Sequence, residues 1–242
     1  MRSRWLVTAG RVLTQLSHDH RTVALLLVVP ALLVGLFAWL FQSDQVFQRV
    51  GPMVMALFPF IMMFLVTSIV TLRERRSGTL DRLMTTPLSK ADLIGGYALA
   101  FALVAAAQTG ITVCFGVYVC GLELAGSIIQ LLGVAVVDAI LGTALGLLVS
   151  AFARTEFQAV QFLPLFVFPQ VILGGVFMPR QQMPRALEAI SDFMPLSYAI
   201  DGVSNVALGL GGWDVARPLL VMAAFAAGCL ALASLTLSRR TP

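Results

Sequence analysis

The sequence has 242 residues, of which 59% are hydrophobic and only 12% charged, whereas about a quarter of a soluble domain is charged. Such a chain cannot cover itself with polar groups in water, so composition excludes a soluble globular domain and indicates an integral membrane protein. The formal charge of +4 does not indicate nucleic acid, because the basic residues stand beside apolar runs and form no basic stripe with stacking aromatics.

The expected architecture is an all-α integral membrane protein with six transmembrane helices. Residues 1–21 are too polar to span. Trp5, Ala9, Val12, Leu13 and Leu16 share one helical face, and Arg4, Arg11, Gln15 and His18 share the other. That pattern predicts a helix lying in the membrane interface, with Trp5 at head-group depth and the arginines toward anionic lipid. No cleavable signal peptide is expected, since no small-residue cleavage site follows the first apolar run closely. Residues 22–41 form the first span, because twenty helical residues cover about 30 Å, one hydrocarbon core. Residues 51–72 form the second.

Residues 73–92 are a charged insert between spans. Gly78 permits a turn at its start. Leu80, Leu83 and Met84 then recur at helical spacing, with Asp81 and Arg82 on the other side. Pro87 ends that short helix. Ser89 to Asp92 reads as a new N-cap opening the next span. The amphipathic segment either meets another protein or is a solvated loop that sets topology; charge runs are more often the latter.

Residues 93–119, 127–153, 159–178 and 217–237 are the remaining spans. Gly142 and Gly146 in the fourth form G-x-x-x-G, read as close helix packing within the chain. The fifth contains Pro164, Pro169, Gly174 and Gly175, which predicts a kinked segment breaking near Gly174. Between the fifth and sixth spans, residues 184–193 and 195–208 each open with Met-Pro and read as short helices capping the outer end. Cys114, Cys120 and Cys229 match no metal or disulfide spacing and read as small packing residues.

Basic residues set the orientation. Arg2, Arg4, Arg11, Arg21, Arg73, Arg75, Arg76, Arg82, Lys90, Arg154, Arg239 and Arg240 fall on one side, and Arg49, Arg180, Arg185 and Arg217 on the other. The positive-inside rule places both termini and the charged insert in the cytoplasm.

Several chemistries lack their residues. The single lysine, Lys90, follows Ser89, so no G-x-x-x-x-G-K phosphate loop exists. The two histidines, His18 and His20, leave little for a catalytic triad or a histidine metal centre, and no metal site is expected. Asp138 stands deep in the fourth span, where an ionisable group is a functional candidate by default. Gln108, Gln130, Gln161 and Gln170 are candidate partners for it, or could line a path.

The chain resembles the permease subunits of ABC-2 type exporters, specifically the daunorubicin-resistance-like branch of bacterial efflux permeases. The first motif is R-E-R-R-S-G-T-L-D-R-L-M-T-T-P-L-S at residues 73–89. The second is L-G-G-V-F-M-P-R-Q-Q-M-P at residues 173–184, followed by F-M-P-L-S-Y-A-I-D-G-V-S-N-V-A-L-G. The resemblance implies that Glu74, Gly78, Thr79, Leu80, Asp81, Leu83 and Met84 belong to a coupling helix that docks on a separate ATPase subunit. Asp81 stands where the family usually has Glu. The resemblance further implies no enzyme activity and no cofactor in this chain, ATP and Mg in the partner ATPase, and a second permease copy, a homodimer. It implies export of amphipathic drugs or lipid-like molecules across a bacterial plasma membrane, in contact with membrane lipids. The alternative is a proton-coupled secondary transporter using Asp138.

Overall fold

A computed structural model describes residues 4–41, 44–78 and 89–236. Its described residues form helices and connecting turns only. In chain order they are α1 (Arg4–His18), α2 (His20–Leu40), α3 (Asp44–Arg76), α4 (Lys90–Tyr118), α5 (Ile128–Ser150), α6 (Glu156–Leu173), a 3-10 turn (Arg180–Gln182), α7 (Arg185–Ser191), α8 (Pro195–Ala207) and α9 (Trp213–Thr236). Six of them, α2 to α6 and α9, are long and apolar enough to cross a membrane. The chain is a multi-pass membrane protein.

The bundle is built around α3 and α5. With 33 residues, α3 is about 50 Å long at the helical rise of about 1.5 Å per residue. The seam between α3 and α5 is close because Gly142 and Gly146 carry no side chain. A Cβ on Gly142 would overlap the Phe60 carbonyl oxygen, and one on Gly146 would lie 2.6 Å from that of Phe64. The G-x-x-x-G motif therefore serves packing within the chain, as expected. Phe60, Met55, Val34, Leu131, Val134 and Leu141 fill the adjoining core.

Two local expectations from the insert and the proline-rich span hold. Ser89 accepts from the Asp92 backbone N–H and Asp92 accepts in return, a full capping box at the start of α4. The α6 helix ends at Leu173, with Gly174 as its cap and Gly175 at φ +100°. Other ends differ. α3 begins seven residues before 51 and runs on through Arg73, Glu74, Arg75 and Arg76, because Arg73, Glu74 and Arg75 find partners on other helices. α6 begins at Glu156, where the Thr155 side chain accepts from the Gln158 N–H.

The surroundings of α1 add a protein partner to the expected amphipathic helix. Ala9, Val12 and Leu16 are buried in the protein. Thr8 and the Trp5 carbonyl lie against Gly96 of α4, where no Cβ intervenes. The Arg11 guanidinium turns toward the bundle, where the Glu74 carboxylate and the Tyr97 hydroxyl accept hydrogen bonds from it. An amphipathic face suits a membrane surface and a protein surface equally well, and here the protein covers Ala9, Val12 and Leu16 while Trp5 stays 41% exposed.

At the opposite end of the bundle from the insert, α8 is wedged among α3, α5 and α9, burying Leu196, Ala199, Ile200, Val203 and Val206. It is part of the core, whereas α7 is short and largely exposed.

Candidate functional site

The last turn of α3 sends three consecutive side chains to three different helices. Successive residues of a helix point about 100° apart, so Arg73, Glu74 and Arg75 must diverge. Arg73 donates from Nε and Nη2 to Glu156 Oε1 and Oε2 at 2.7 and 3.0 Å, meeting the carboxylate at the N-terminus of α6, where an anion is favoured. Arg75 Nη1 donates to the Ser150 carbonyl at 2.6 Å, one of the acceptors that the end of α5 leaves open. Glu74 accepts from Arg11 Nη1 and Nη2 at 3.2 and 3.1 Å. Arg11 Nη2 also donates to the Tyr97 hydroxyl at 2.9 Å, and its guanidinium lies 5.8 Å from the centre of that ring.

The three contacts differ in strength. The Arg73–Glu156 pair is exposed and contributes about 0–1 kcal/mol. Glu74 is only 3% exposed, so its charge depends on the fork of Arg11 for compensation. Together they tie the end of α3 to α1, α4, α5 and α6.

The charged insert leaves from this joint. Gly78 has φ +71°, a left-handed turn that a side chain would strain. Thr79, Leu80, Asp81, Leu83 and Met84 lie outside the described residues. Chain order therefore sets the insert between two fixed ends, the α3 joint and the Ser89–Asp92 capping box.

Among the described residues no hydrogen bond joins the intramembrane polar side chains to one another. Asp138 is fully buried, and both its carboxylate oxygens lack a partner among the described residues. Gln108 is equally buried and its amide is also unpartnered among them. Gln170 acts locally, donating to the Phe166 carbonyl at 2.8 Å and accepting from the Leu196 N–H at 3.2 Å. It thus pins α6 to the first turn of α8, where that N–H has no helical partner. Gln161 is exposed on the wall of a cavity of about 410 Å³ beside Arg154 and Gln158. Among the described residues no three His, Cys, Asp or Glu side chains cluster as metal ligands would.

The α8 end holds two features that pattern reading missed. Arg180, 9% exposed, donates to Ser191 Oγ at 2.9 Å, Asp201 Oδ2 at 2.6 Å and Asp192 Oδ1, and stacks 5.4 Å from the Tyr198 ring centre. One cation thus gathers the turn after α6, the end of α7 and the body of α8. Burial pushes the Asp201 carboxyl above the ordinary carboxylate range, and Arg180 pulls it back only in part. Beside this hub lies a cavity of about 1020 Å³, walled by the start of α3, the turn after α4, the turn after α6 and α8. The one available signal was an Arg just ahead of the two segments that supply Asp192 and Asp201, visible as charge but not as contact.

Residues 4–208 match the family model described as ABC-2 type transporter. Over 181 residues the chain is 30% identical to YbhR of Escherichia coli K12, named a probable multidrug ABC transporter permease, covering 72% of this chain and 49% of that one. It is 27% identical over 172 residues to the linearmycin resistance permease protein LnrN of Bacillus subtilis, covering 69% and 44%. It is 25% identical over 162 residues to ABC transporter G family member 20 of Dictyostelium discoideum, covering 66% and 22%. The chain spans about half the length of the bacterial relatives it matches.

Proposed function

The chain belongs to the ABC-2 type transporter family, and from that premise we propose that it is the membrane permease subunit of an ATP-driven bacterial exporter. It contributes no bond-breaking residues. A separate ATPase subunit binds ATP and Mg, and the segment carrying Thr79, Leu80, Asp81, Leu83 and Met84 docks on it. Gly78 sets the direction in which that segment leaves α3. A second permease copy, identical in the simplest arrangement, completes the transport path. The cargo is an amphipathic drug or lipid-like molecule, consistent with relatives named for multidrug transport and linearmycin resistance. The protein lies in the plasma membrane with both termini in the cytoplasm.

The observation that carries this reading is the joint at the end of α3. A segment pushed by a nucleotide-driven partner moves the bundle only if its root is stiff. Here the root is fixed to α6 by Arg73, to α1 and α4 through Glu74 and Arg11, and to α5 by Arg75. A displacement of residues 79–88 is therefore delivered to several helices at once rather than absorbed at a hinge. Glu74 acts from inside the subunit, as the anchor of the coupling segment rather than part of its docking face.

The test is purification with associated proteins, followed by reconstitution. The full-length chain is expected to bring down an ATPase subunit, and Leu80→Asp with Leu83→Asp is expected to abolish both that association and ATP-driven efflux while membrane insertion persists. Efflux retained in that variant contradicts the docking role. A second reading, proton-coupled transport through Asp138, draws only on its unpartnered buried carboxyl. It requires Asp138→Asn to abolish transport at normal expression, whereas the exporter reading expects most transport to remain.

A further inference from the structure

We infer that the cavity beside α8 binds the head group of a zwitterionic phospholipid, with Arg49 receiving its phosphate and Glu123 its ammonium. This site is separate from the α3 joint and does not depend on an ATPase. Its volume of about 1020 Å³ is at the upper end of small-molecule sites, roughly 300–1,000 Å³.

The argument rests on which charges in its wall are already used. The charge of Arg180 is already compensated by Asp192 and Asp201, with Ser191 as a third acceptor. Arg49 and Glu123 also line the cavity, yet among the described residues neither side chain has a hydrogen bond or an ion pair. They stand on adjoining segments, because Gln48, next to Arg49, donates to the Gly121 carbonyl at 3.0 Å and accepts from the Glu123 N–H at 2.7 Å. Two opposite charges thus stand on adjoining walls of one cavity with no ion pair between them. A third polar residue of the wall, Ser204, has a hydroxyl with no partner among the described residues.

Such a wall selects by charge pattern. A purely anionic head group gains Arg49 but is repelled by Glu123, and a purely cationic one has the reverse problem. A molecule carrying both charges compensates both residues. The apolar part of the ligand also has a place to lie. Leu208, on the cavity wall, is 72% exposed, and Val119, next to Cys120 of the wall, is 68% exposed.

The experiment measures equilibrium binding of radiolabelled dioctanoyl phosphatidylethanolamine to the full-length protein in dodecyl maltoside, an uncharged detergent. Saturable binding is expected, with dioctanoyl phosphatidylglycerol, which has the phosphate and lacks the ammonium, competing at least about tenfold less well. Arg49→Ala and Glu123→Ala should each weaken binding about tenfold, the scale of one charge-assisted hydrogen bond. Arg185→Ala, an exposed cation on α7 outside this cavity, should change nothing. The proposal is overturned by absence of saturable binding, by equal competition from the two lipids on the unaltered protein, or by unchanged binding in both cavity variants.

Discussion

The two ends of the bundle handle charge in opposite ways. At the α3 end, Arg73, Glu74 and Arg75 each meet a partner on another helix, and the result is a joint. At the α8 end, Arg180 gathers its neighbours in the same manner, but Arg49 and Glu123 stand around an open space with no ion pair among the described residues. Saturated charges give stiffness; unsaturated ones give a surface that can recognise something. One end is therefore suited to transmitting a push and the other to receiving a ligand.

The largest expected break in this contrast is Glu74→Ala. It strands Arg11 beside Tyr97 and should cost about 3 kcal/mol, the low end for a broken buried pair, because Arg11 retains 31% of its exposure. The check is the thermal unfolding midpoint, together with faster hydrogen exchange across α1. Arg180→Ala should cost about 2 kcal/mol by leaving Asp201 without its cation, with the exchange increase confined to α7 and α8. If that increase instead appears in α1, the two ends are not independent. Arg73→Ala, at an exposed pair, should cost less than about 1 kcal/mol and leave the unfolding midpoint nearly unchanged.

The smallest effect is one of pH. The Asp201 carboxyl is raised above its ordinary range, chiefly by burial. A raised acid contributes stability that is complete below its unfolded value and is lost as pH rises through its folded value. Protection of α8 against exchange, corrected for the intrinsic pH dependence, should therefore fall as pH is raised from the acid side. Asp201→Asn should flatten that fall, and α1 should show none of it.

The fold was legible where a short-range rule sufficed. Spans of about twenty apolar residues announce themselves by length. The Ser89–Asp92 capping box, the end of α6 at Gly174 and the Gly142–Gly146 seam follow from residue chemistry within a few positions. What stayed hidden depends on distant residues. The Arg11–Glu74 contact joins positions 63 apart, and no periodicity links them. The 3.6-residue pattern showed that α1 has an apolar face but not whether lipid or α4 would cover it. Gln170 looked like a polar residue in a pathway, yet its amide holds α8 to α6. Arg180 was visible only as a positive charge, because its carboxylate partners lie 12 and 21 residues away.

The joint at the end of α3 is tested most directly by reversing its buried pair. ATP-driven efflux would be measured in vesicles containing the proposed ATPase partner and the unaltered chain, Glu74→Arg, or Glu74→Arg combined with Arg11→Glu. Efflux is expected to fall at least about tenfold in the single variant, where two cations face each other in a largely buried site, and to recover in the double variant, where the charges are exchanged and attraction is restored. Efflux in Glu74→Arg equal to that of the unaltered chain would contradict the account.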